Sequence, residues 1–217
     1  MACSPRLFVL LVFWLWQPTL GAAQRLLTGL SIGRTWASAR YPDRAGVLAQ
    51  NSRGGLQAGV AALITWGHLG LQSGVRYTQL GDQLRGKFPG SSNSDYRETR
   101  RLNYLQVPLL GLYSLRADGQ GLHLVAGPYG ARLVGGYYQE ELIGNPKIYT
   151  WPVTQGGRWD VGLQVGVGYR FRGLLAQAGY DWGLHARRVP DVLDVRHGAA
   201  GRSYNRAWHL GLSYVCD

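Results

Sequence analysis

The chain has 217 residues, with 23 Lys and Arg against 12 Asp and Glu for a formal charge of +11, yet only 16% of its residues are charged and 46% are hydrophobic. Its 32 Gly follow no Gly-X-Y period, so collagen is excluded, and few charges with many aromatics exclude disorder. Two Cys exclude a disulfide-dense scaffold, and Gly, at about 1 kcal/mol per helix-interior position, argues against a long all-α fold.

Residues 1–23 read as a cleaved secretory signal peptide. A short basic region ends at Arg6, an apolar run spans Leu7 to Trp16, and Gly21-Ala22-Ala23 supplies small residues before cleavage at Gln24. The apolar run is about half the length a membrane-spanning helix needs. Cys3 precedes it, so no lipoprotein signal is present. Removing the segment takes Arg6 and Cys3 with it, so the charge becomes 11 − 1 = +10 and Cys216 is the remaining thiol. Residues 24–217 then form one domain, and any membrane insertion must use strands.

Period-2 alternation marks the strands. It is found in 26–37, 54–66, 69–81, 159–171, 174–184 and 204–216. The clearest case sets Trp159, Val161, Leu163, Val165, Val167, Tyr169 and Phe171 against Asp160, Gly162, Gln164, Gly166, Gly168 and Arg170. Segments 102–115 and 122–136 are apolar but less regular. They hold Pro108 and Pro128, where a missing ladder donor predicts a bulge or irregular pairing. Eight strands result. Their connections run alternately long (38–53, 82–101, 137–158, 185–203) and short (Gly67-His68, Arg116 to Gly121, Arg172-Gly173). This rhythm predicts an all-β, eight-stranded, antiparallel up-and-down transmembrane barrel, with short turns on the periplasmic side and long loops outside.

The apolar face is expected to point outward. Gly, Ser and Gln suit a narrow interior, and eight strands leave little room for more. A soluble barrel would reverse the faces. The aromatics argue against that, because they gather at both strand ends. Trp36, Tyr77, Trp159, Trp182 and Trp208 lie toward the long connections, and Trp66, Tyr113, Tyr169, Phe171 and Tyr214 toward the short ones.

Three stretches are similar to a known family. They are Leu102-Asn103-Tyr104-Leu105-Gln106-Val107-Pro108-Leu109-Leu110, then Ala126-Gly127-Pro128-Tyr129, then Asp160 to Tyr169 with Tyr180-Asp181-Trp182-Gly183-Leu184. Through these the chain resembles the small outer-membrane β-barrel, or porin-family, proteins of Bacteroidota type over nearly all of 26–215. Gln106 stands where that family usually has an acid, and Cys216 where an aromatic completes its assembly signal. The resemblance implies an outer membrane of a Gram-negative bacterium and the barrel-assembly machinery as a partner in biogenesis. It implies no set activity.

A polar interior network is expected from Arg76, Asp160, Arg170, Asp181 and His209, with Gln57, Gln72, Gln106, Gln164 and Gln177 around them. One of the two acids should pair with Arg76 or Arg170, since enclosed charges need partners. Arg97, Arg100, Arg101, Arg187 and Arg188 are the candidates for contact with lipopolysaccharide phosphates. No compact basic stripe suggests nucleic acid. No nucleophile elbow, His-Glu-x-x-His or paired-Cys pattern occurs, so no enzyme, metal or cofactor is expected. The expected role is structural or interactive, with external loops on a closed barrel. A narrow solute or ligand barrel comes next. A lipid A-modifying enzyme recruiting His185, His197, His209, Ser203 or Ser213 comes third.

Overall fold

The computed structural model describes residues 24–40, 47–87, 95–142, 148–152, 159–185, 187–189 and 201–216. Ten strands are found among them: β1 (Gln24–Arg40), β2 (Val47–Trp66), β3 (Leu69–Lys87), β4 (Asp95–Ser114), β5 (Gly121–Leu142), β6 (Ile148–Pro152), β7 (Trp159–Phe171), β8 (Leu174–Gly183), β9 (Arg187–Val189) and β10 (Gly201–Cys216). Eight of them, in the order β1-β2-β3-β4-β5-β7-β8-β10, form an antiparallel up-and-down ring that closes by pairing β10 with β1. The short β6 and β9 pair only with β5 and β10. No helix of the described residues is long and apolar enough to cross a membrane, which says nothing of strands.

The register fixes the shear of the ring. Following partners from Trp36 leads through Trp208, Tyr180, Val165, Ala126, Gly111, Leu71 and Ile64 back to β1 at Leu26, ten residues from the start. Ten residues over eight strands, at about 3.3 Å rise and about 4.8 Å spacing, tilt the strands by about 40°. Alternation sorts the faces. Trp159, Val161, Leu163, Val165, Val167, Tyr169 and Phe171 are all exposed, while Asp160, Gln164 and Arg170 between them are buried. The aromatics flanking the apolar band lie on the outer face as expected, with Trp208 in mid-strand and Tyr214 near the end of β10 both more than 60% exposed.

Three expectations need correction. First, the long connections 38–53, 82–101 and 137–158 are largely strand. β2 to β5 have 20, 19, 20 and 22 residues against 13 in β7 and 10 in β8. Roughly 10 residues suffice to cross a bilayer, so one side of the barrel wall continues well past the other. Alternation of apolar residues stops where lipid stops, but backbone pairing does not. Second, at the prolines the irregular pairing is found and the bulge is not. Ser73↔Leu109 and Arg76↔Gln106 keep one register, but Gly74 and Val75 lose their partners opposite Pro108 and Val107, and Leu109 and Leu110 lose theirs opposite Pro128 and Gly127, while Pro128 still pairs with Leu163 on its other side. The shifts fall in β2 between Val47 and Ala49 and between Ser52 and Gln57, and in β5 opposite Asn103/Tyr104. All three lie at or beyond the level where the strands leave the apolar band, a usual place for bulges in barrels. Third, the interior is not uniformly polar. Leu27, Leu63, Leu110, Leu112, Val125 and Val215 pack together inside, toward the short turns. Tyr104, Tyr129, Leu102 and Ala131 form a second interior group.

Candidate functional site

The barrel interior holds the polar residues that alternation turned inward. At its centre, Arg76 of β3 reaches across the lumen. Its Nη2 donates to Gln164 Oε1 at 2.6 Å and lies 3.5 Å from Asp181 Oδ2. Gln106 joins both ends of the pair, accepting from Arg76 Nε at 3.4 Å and donating to Asp181 Oδ2 at 3.1 Å. His209 Nδ1 lies 3.5 Å from the other Asp181 oxygen. Of the acid–arginine pairs the alternation suggested, the structure thus brings together Arg76 and Asp181. Gln72 also bonds across the lumen to Gln177 at 3.0 Å.

Asp160 and Arg170 stand elsewhere. Asp160 accepts from Asn205 Nδ2 at 2.7 Å, and Asn205 also reaches the Tyr104 hydroxyl at 3.3 Å. Arg170 lies toward the short turns, where its Nε donates to the Arg172 carbonyl at 3.4 Å. Asn205 was not singled out in the sequence, although the parity of His209 continued up β10 points it inward.

Little free volume remains. A cavity of about 40 Å³ is lined by Gln57, Gln72, Arg76, Gln177, His209 and Ser213, among others. That is room for a few waters, and Gln57 Oε1, Gln72 Oε1 and Gln177 Nε2 have no protein partner. His209 and Ser213 share this cavity, whereas His185 is exposed on the outside. His197 lies outside the described residues. No group of three or more potential metal ligands occurs among the described residues.

The arginines named for lipopolysaccharide divide. Arg100 is a correction. It is 2% exposed, bonds Glu98 at 2.6 Å and stacks over Tyr138 inside the barrel. Even-numbered residues of β4 point inward, and that parity carries past Leu102 to Arg100. Arg97 and Arg101 take the outer face, Arg97 paired with Glu141 at 3.3 Å and Arg101 over the Tyr137 ring. The side chains of Arg187 and Arg188 lie outside the described residues.

At the opposite end, the 115–120 turn is tied to its neighbour. Asp118 accepts from the Gln120 amide at 2.9 Å and from Arg116 at 3.0 Å. The amide bond and the guanidinium hold its carboxyl below the ordinary carboxylate range. Gln120 in turn accepts from the amide of Arg172 at 2.9 Å.

No curated protein matches the chain. Solved structures do. The attachment invasion locus protein Ail of Yersinia pestis is 12% identical with a TM-score of 0.46, covering 88% of this chain and 99% of its own. Neisserial surface protein A is 14% identical with a TM-score of 0.39, covering 86% and 96%. The outer membrane protease OmpT of Escherichia coli is 11% identical with a TM-score of 0.38, covering 92% and 99%. The family model of the outer membrane protein beta-barrel domain matches residues 14–186, well over half the chain. The protein belongs to that family, and its place is the outer membrane of a Gram-negative bacterium.

Proposed function

We propose that this chain is a closed, non-conducting barrel whose role is structural or interactive, presenting its external segments on a rigid wall. The observation that carries this reading is the filled lumen. The apolar layer of Leu27, Leu63, Leu110, Leu112, Val125 and Val215 sits beneath the cross-lumen network of Arg76, Gln106, Gln164 and Asp181. The cavity lined by Gln57, Gln72, Arg76, Gln177 and His209 is water-sized. The end bearing the short turns faces the periplasm, and the extended ends of β2 to β5 stand outside. The motif from Leu102 to Leu110 supports a Bacteroidota-type member. Arg97, Arg101, Arg187 and Arg188 serve as contacts for lipopolysaccharide above the membrane, and the barrel-assembly machinery inserts the chain.

The test is a planar-bilayer recording on the folded protein. The expected result is no conductance above the lipid background. Stable unitary steps would favour the narrow-pore reading and overturn this one. Altered lipid A in an overexpressing strain would favour the enzyme reading, which the burial of His209 (4% exposed) speaks against.

A further inference from the structure

Five of the described acids lie inside the barrel, while Glu141 on the outer face and Asp118 in the 115–120 turn do not. Asp82, Glu98, Glu140, Asp160 and Asp181 are all buried. On the outer face at the external rim, arginines stand against aromatic rings instead. Arg34 lies 5.7 Å from the Trp36 ring, Arg206 4.3 Å from Trp182 and Arg132 5.7 Å from Trp159. Among the described residues none of these three arginines has a carboxylate within ion-pair distance. Because each seam of the ring climbs by little more than one residue, Trp36, Arg206, Trp182 and Arg132 stand at about one height.

The densest part of this belt spans β1, β10 and β8. Trp36 pairs with Trp208, and Trp208 packs on Tyr180 at 4.8 Å between ring centres. Gly54 of β2 pairs with Trp36 from the other side. A Cβ there would meet the Arg34 guanidinium at 3.3 Å, so glycine leaves the space in which Arg34 lies against the wall. Arg34 springs from within the apolar band, next to Ile32, and its head rises toward Gly54 and Trp36, as long cations do at an interface. The opposite rim has a single such pairing described, Arg172 over Phe171.

We propose that this outward patch binds a phosphorylated glycolipid of the outer leaflet. The Arg34 and Arg206 guanidinia grip its phosphates, and Trp36, Trp208 and Trp182 seat the boundary between its sugars and acyl chains. Unpaired guanidinium forks match phosphate in charge and geometry, and amphipathic rings belong at that depth. The patch lies in the membrane wall, below the arginines of the projecting strands. The proposal rests on the outward orientation argued above.

The experiment is native mass spectrometry of the folded protein released from vesicles. The vesicles carry bisphosphorylated lipid A, the same lipid stripped of both phosphates, or phosphatidylglycerol. Wild type is expected to retain the bisphosphorylated lipid, and the double variant R34Q/R206Q to retain about tenfold less, as charge-assisted bonds to phosphate are lost. R172Q at the other rim should match wild type. G54V, which displaces the Arg34 head without touching its charge, should also lose retention and serves if the double variant fails to fold. Undiminished retention by the folded variants overturns the proposal, as does equal retention of stripped lipid or phosphatidylglycerol by wild type. A heat-modifiable gel shift separates the causes. Wild type that fails to insert overturns the membrane reading and this proposal with it. An inserted barrel that retains nothing overturns the proposal alone.

Discussion

Arg76 and Asp181 illustrate how enclosed charges behave at the residue scale. Each is mostly buried, with side-chain exposures of 14% and 9%, and each has neutral amides completing its shell. Removing one partner leaves the other charge stranded in a narrow lumen, and a broken buried pair typically costs 3–5 kcal/mol. Arg76→Met is therefore expected to destabilise the folded barrel by about 3 kcal/mol, and Asp181→Leu by a similar amount. Replacing both should cost less than the sum, with a coupling of about 2 kcal/mol. Urea titrations in lipid vesicles, read by gel mobility, measure this. Additive costs would mean that the two groups do not depend on each other. Legibility differed residue by residue. The inward position of all five polar interior residues followed from parity alone, because a lipid-facing strand has no other way to alternate. Asn205 and Arg100 obey the same parity. Both lie beyond the apolar band, where nothing outward signals the period, so Asn205 carries no sequence signal and Arg100 reads as an outward contact.

Among the elements, inward glycines act as sockets for large neighbours. Gly162 on β7 faces the Tyr129 ring of β5, and a Cβ there would fall 2.6 Å from it. Gly168 and Gly179 make the same room for the His123 and His209 rings. Gly130, one residue along from Tyr129, has nothing within 4 Å of such a Cβ. Gly162→Val, whose Cβ would also come within 2.3 Å of the Trp182 carbonyl oxygen, is thus expected to force Tyr129 off its seat, strain the β7–β8 seam and cost at least about 1–3 kcal/mol, the usual range for overpacking. Gly130→Ala should be close to neutral. Unfolding midpoints of the two variants in vesicles decide it, and equal effects would sink the socket account. The interior apolar layer was harder to foresee. Leu110, Leu112 and Val125 occupy the two segments whose alternation was blurred, since both faces of those strands are apolar there. Period-2 reading needs contrast between faces, and a closed barrel floor removes it.

On the scale of the whole molecule, register and tilt turn sequence position into membrane depth. Trp159 and Tyr169 mark the two rims along β7, and both are more than half exposed. Ten residues at about 3.3 Å rise, inclined by about 40°, span about 25 Å, the height of the apolar band in such barrels. Val161, Leu163, Val165 and Val167 fill that interval on the outer face. Depth then sets the cost of a charge. Val165→Arg places a guanidinium near mid-band and is expected to cost about 2–4 kcal/mol, while Trp159→Arg at the rim should cost about 0–1 kcal/mol from the charge itself. The native Arg132 beside Trp159 already shows a cation tolerated at that height. Folding each variant into vesicles and comparing denaturant midpoints checks the depth scale. A Val165→Arg barrel as stable as wild type would mean that this face of β7 does not meet lipid at that depth, and the tilt derived from the ten-residue shear would fall with it.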